Sequence, residues 1–103
     1  MQQKVQNKEM LMSLIANNRS RIREYGVRAI GLFGSFARNE QTDLSDIDLL
    51  VDFEKDKETY RNFISLAYYM EELLGRKVEV VTRNGLSPYI GPRILKEVQN
   101  VPL

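Results

Sequence analysis

The sequence predicts an α/β (α+β) domain in which a small sheet is flanked by helices. Three observations carry that expectation. Residues 27–33, 45–53 and 77–82 have the length and composition of strands, helical apolar periods fill the chain between and around them, and Gly, Pro and Asn mark the joints. The order reads ααβ-α-β-α-β-α, without internal repeat, low-complexity stretch or Pro/Gly/Ser-rich linker. One domain is expected over residues 1–103, with N-terminal helices over 1–26 and a core over 27–98.

Each element has a local reason. Val5, Lys8, Met10, Leu11, Leu14 and Ile15 recur on a mostly helical period over residues 4–16. Asn17-Asn18 is a break, and Ser20 to Tyr25 forms a second helix that Gly26 ends. VRAIGLF, residues 27–33, is an apolar run of strand length, and Gly34-Ser35 turns the chain into a short helix over 35–38. In SDIDLLVDF, residues 45–53, Ile47, Leu49, Val51 and Phe53 alternate onto one face, and Asp46, Asp48, Leu50 and Asp52 onto the other. After a charged loop, Thr59 caps a helix whose apolar face is Phe63, Ile64, Ala67, Met70, Leu73 and Leu74, with Gly75 as its stop. KVEVVT makes a third strand, and the tail, interrupted at Gly91-Pro92, ends in a helix from Arg93 to about Val98.

Composition narrows the chemistry. Apolar residues are 43% and charged residues 28% of 103, within the globular range. There is no apolar run of membrane-spanning length and no signal-like N-terminus, so a cytoplasmic protein without a membrane partner is expected. With neither Cys nor His, thiol nucleophiles, Ser-His-Asp catalysis and the usual zinc sites are excluded. A catalytic base must be a carboxylate, Lys or Tyr, and a metal must be held by oxygen. Charge is segregated: residues 1–38 carry +5, residues 39–58 carry −6 and the remainder +2, for a net of +1. That balance lacks the cationic excess of a chain binding nucleic acid directly.

The chemistry-bearing residues fall in three places. Gly34-Ser35 follows a strand, where glycine permits close approach of a phosphate and Ser35 opens a short helix whose free N–H groups favour anions. Asp46 and Asp48 are two apart, and in a strand that spacing puts both carboxylates on one face with Cα atoms about 6.5–7 Å apart. Like charges so placed repel unless a cation lies between them. Glu79, between Val78 and Val80, joins them if the third strand lies beside the second. Three such acids can hold two magnesium ions about 3.5–4 Å apart, the geometry of phosphoryl and nucleotidyl transfer.

The run GLFGSFARNEQTDLSDIDLLVDF resembles the signature of the nucleotidyltransferase superfamily that includes DNA polymerase β and kanamycin nucleotidyltransferase. The resemblance covers about residues 27–98 and is nearest to the minimal nucleotidyltransferases, stand-alone domains usually encoded beside a small helical HEPN protein. It implies a polymerase β palm-like fold with a small mixed sheet. By the resemblance, Gly34 and Ser35 bind the triphosphate of ATP, with Arg38 facing the phosphates. Asp46 and Asp48 ligate two magnesium ions, and Glu79 completes the metal site and helps deprotonate the acceptor hydroxyl. The implied role is that of an antitoxin that silences a HEPN toxin by AMP transfer to a tyrosine, within a homo- or hetero-oligomer. Two residues depart from the family pattern: Asn39 stands where Gly is usual, and Glu79 where Asp is usual. Asn tolerates the left-handed turn that Gly supplies. The extra methylene of Glu79 displaces its carboxylate by about 1.5 Å. That displacement motivates the alternative of a weak or inactive enzyme that neutralises its partner by covering it. Transfer to a small molecule such as an aminoglycoside ranks below both.

Overall fold

A computed structural model describes residues 4–103 of the chain. Asn7 caps the first helix, α1 (Lys8–Asn17), its side-chain oxygen accepting the Met10 N–H at 2.8 Å. Val5 therefore lies outside the helix. It is fully buried and its N–H bonds the Leu74 carbonyl at 2.9 Å, which ties the N-terminal segment to the end of α4 (Tyr60–Leu74). The second helix, α2 (Arg19–Glu24), ends before Gly26, whose φ of 84° suits only glycine without strain.

Strands β1 (Val27–Phe33), β2 (Ile47–Phe53), β3 (Val78–Thr82) and β4 (Gln99–Val101) form one sheet in the order β3-β2-β1-β4. β2 runs antiparallel to β1 and parallel to β3, as expected when the 15-residue α4 makes the β2–β3 crossover. The sheet is thus mixed and flanked by helices. The short helix after β1 is α3 (Gly34–Ala37), and the tail helix is α5 (Gly91–Glu97).

Period-two alternation holds in β2: Ile47, Leu49, Val51 and Phe53 enter the core with Ile30 and Leu32 of β1. Leu11, Ile15 and Ile22, together with Leu66, Met70 and Leu74 at every fourth position of α4, belong to the same cluster. The buried stripe of α4 therefore centres on Leu66, Met70 and Leu74, with Phe63 and Leu73 partly buried beside it. On the opposite face of β2 lie Asp48, Leu50 and Asp52.

Other boundaries also differ from those read in the sequence. β2 begins at Ile47, so Asp46 is the last residue before the strand. Pro92 sits in the first turn of α5, where its missing N–H costs nothing, so the helix starts at Gly91 rather than at Arg93. β4 has only three residues, too few for a periodic signal, and exists because Ile30, Gly31 and Leu32 offer it a sheet edge. No helix among the described residues is long and apolar enough to cross a membrane.

Candidate active site

Asp48 is the centre of the site. In β2 it pairs across to Phe33 of β1 on one side and to Glu79 of β3 on the other. The parallel register of β2 and β3 puts the side chains of Asp48 and Glu79 on the same face, on strands about 4.8 Å apart. Asp48 is half-buried and Glu79 exposed. Burial first, then the charges of Glu79, Asp46 and Glu97, raise the Asp48 carboxyl from 3.8 to about 6, against the opposing pull of Arg38.

Gly34 follows β1 directly and has φ 76°. A Cβ placed there would collide with the Asp48 carboxylate, and Asp48 Cγ would lie 2.9 Å from it. Glycine is thus required twice, for the left-handed backbone and for the carboxylate folded against it. Ser35, half-buried at the start of α3, accepts the Glu40 N–H on its carbonyl at 2.9 Å. This contact closes the loop that leads to the acidic segment. Asn39 takes φ 59°, the left-handed conformation its side chain tolerates.

Asp46 is exposed and fixed by its neighbours rather than by a strand. The Ser45 hydroxyl accepts the Thr42 N–H at 2.8 Å, and Ile47 donates its N–H to the Lys77 carbonyl at 3.0 Å. Beneath the loop lies Arg76, the one buried charged residue among those described. Its guanidinium donates to the carbonyls of Val5 at 2.6 Å, Thr42 at 3.1 Å and Ser45 at 2.8 Å, and stacks 4.9 Å over the Phe36 ring. Arg76 is a positioning residue that the sequence reading missed, although a charge placed straight after the Gly75 stop was a visible signal.

Glu97, at the end of α5, was also missed. It accepts the Gly34 N–H at 2.9 Å and pairs with Arg38, which also holds Glu40. The Gly34 bond and then the Arg38 guanidinium hold Glu97 below the usual carboxylate range. Asp52, the further acid on the Asp48 face, is instead neutralised by Arg83 at 3.1 Å and Arg28 at 3.5 Å. Beside Glu79 opens an apolar cleft of about 310 Å³, lined by Phe33, Val81, Leu86, Ile90 and Ile94 among others.

The structure thus gathers Gly34, Asp48 and Glu79, with Asp46 and Arg38 at the margin. Among the described residues, no three carboxylates stand close enough to make a ready-formed metal cage. The donor set nonetheless fits a hard cation, since its ligands are all oxygen and Asp48 is strained by like charge that a dication would relieve.

The structure thus sets a glycine turn after β1 against Asp48 of β2, with Asp46 just before that strand and Glu79 in parallel register on β3. The chain belongs to the nucleotidyltransferase domain family, whose model matches residues 15–101, and within it is a minimal nucleotidyltransferase. It is 41% identical over 91 residues to the protein adenylyltransferase MntA of Thermococcus cleftensis, a match covering 87% of this chain and 91% of that one. A Methanocaldococcus jannaschii relative, provisionally named a protein adenylyltransferase, is 44% identical over 78 residues, 76% of this chain and 83% of its own. A solved structure described, also provisionally, as a minimal nucleotidyltransferase superposes with TM-score 0.78 at 34% identity, over 95% of this chain and 97% of that one. The fold also matches a toxin-antitoxin structure with AMP-PNP, at TM-score 0.68 and 21% identity, over 84% of this chain and 71% of that one.

Proposed function

We propose that this enzyme is a protein adenylyltransferase serving as an antitoxin in the cytoplasm, transferring AMP from ATP to a tyrosine hydroxyl of a small helical HEPN toxin. The observation that carries the reading is the β2–β3 register, which sets Asp48 beside Glu79 while the Asp48 carboxylate lies against Gly34. The names of the relatives from Thermococcus cleftensis and Methanocaldococcus jannaschii support the transfer of an adenylyl group to protein. The toxin-antitoxin description of a structure of the same fold supports the partner.

Asp46, Asp48 and Glu79 would hold two magnesium ions, which when bound neutralise phosphate charge and polarise the α-phosphorus. Gly34 and Ser35 cradle the triphosphate and Arg38 faces it, so the chain's contribution is placement and charge complementarity. The apolar cleft beside Glu79 suits an aromatic acceptor entering with its hydroxyl toward the acids. Glu79 accepts the hydroxyl proton, the oxygen bonds the α-phosphorus, and the bond from that phosphorus to pyrophosphate breaks. A tyrosyl-AMP phosphodiester and pyrophosphate result.

Incubating the chain with magnesium, α-labelled ATP and lysate containing the helical partner tests this, with Asp46→Asn/Asp48→Asn as control. A labelled band seen only with the wild type supports transfer and gives the acceptor's size. A second reading rests on Glu79, whose longer side chain departs from the usual Asp: the chain then neutralises its partner by binding alone. Neutralisation retained by Asp46→Asn/Asp48→Asn would favour that second reading.

A further inference from the structure

We infer that Glu97 is an internal competitor of the nucleotide, holding with its carboxylate the Gly34 N–H and the Arg38 guanidinium that a triphosphate must take. The inference rests on the proposed reading of Gly34 and Arg38 as phosphate-binding groups and adds to it a residue that no sequence motif marks.

The contacts are specific. Both oxygens of the carboxylate are used, one accepting the Gly34 N–H at 2.9 Å and the other pairing with Arg38. A carboxylate in the last turn of a helix faces the negative end of the helix dipole, so α5 itself disfavours an acid at this position. What holds it there is the pair of donors across the gap.

The backbone around Glu97 is also fixed. β4 pairs with β1 immediately after α5, and Gln99 donates its side-chain amide to the Ala37 carbonyl at 2.9 Å while accepting Lys8 at 2.9 Å. Val98 packs onto Gly31, where a Cβ would leave it no room. Glu97 is thereby delivered to the Gly34 turn whenever the sheet is complete.

A polyphosphate oxygen and the Glu97 carboxylate are alternative acceptors for the same two donors, and they repel each other if both are present. Nucleotide binding therefore requires Glu97 to let go. Its apparent affinity is reduced by the fraction of molecules in which Glu97 is docked. Release of Glu97 also loosens the end of α5 from α3, which couples nucleotide occupancy to the position of this helix.

The test titrates the full chain with AMP-PNP and magnesium by calorimetry, comparing wild type with Glu97→Gln. Glu97→Gln keeps the shape and removes the charge. It should tighten binding by roughly fivefold or more, because neutralising the acceptor weakens its hold on both donors. In parallel, amide hydrogen exchange across residues 91–97 of the wild type should quicken when AMP-PNP is added, a readout that needs no variant to fold. Equal or weaker binding by Glu97→Gln, or unchanged exchange in the nucleotide-bound wild type, overturns the competitor role while leaving the site intact. If neither protein binds AMP-PNP, the phosphate-binding reading itself fails, and the inference falls with it.

Discussion

Replacing Asp48 by Asn should make the protein more stable and abolish its activity. The native carboxyl is raised from 3.8 to about 6, so between those values the folded chain holds a proton that the unfolded chain has lost. Stability therefore falls as pH rises through that window, and above it the full cost of an ionised Asp48 is present. Two pH units correspond to nearly 3 kcal/mol, but Asp48 is only half-buried and solvent screens its neighbours, so about 1 kcal/mol is the expected gain. For a domain of this size that is a rise in Tm of roughly 4–8 °C. The assay is a series of thermal melts from pH 3.5 to 8 without divalent cation. The two proteins should coincide near pH 3.5, where Asp48 is protonated and nearly isosteric with Asn, diverge as pH rises from about 4 to about 6, and keep a constant difference above that. Magnesium should then raise the wild-type Tm and leave that of Asp48→Asn unmoved. A variant that is less stable, or a difference that ignores pH, would refute the account of repulsion and burial at this carboxyl.

Three further outcomes follow from the geometry. Gly34→Ala combines a left-handed backbone, about 1–2 kcal/mol, with displacement of the Asp48 carboxylate. A Tm loss of roughly 10–20 °C and no measurable transfer are expected, by melting and labelled-ATP assay. Arg76→Met strips hydrogen bonds from the Val5, Thr42 and Ser45 carbonyls, so it should lower stability by about 2–3 kcal/mol in a urea titration. Glu79→Gln alters an exposed side chain and should leave Tm within a few degrees, yet reduce the rate of AMP transfer by on the order of a hundredfold.

Local chemistry was enough to read much of this protein from its sequence. β1 spans residues 27–33 as expected, Thr59 and Gly75 bound α4 through a side-chain cap and a left-handed stop, and the turn expected at Gly34 follows β1 directly. These depend on interactions between residues a few positions apart, which the order of side chains encodes directly. What lay beyond reach depends on partners distant in the chain. The adjacency of Glu79 to Asp48 required the parallel β2–β3 register, 31 positions apart. β4 exists only because β1 offers an edge, and Val5 leaves the helical pattern to bond the Leu74 carbonyl. Arg76 reaches a segment 31–34 residues upstream, and Glu97 meets a glycine 63 residues before it. A lone Arg or Glu carries no periodicity to reveal such a meeting, so its role appears only when the sheet closes and the two ends of the chain come together.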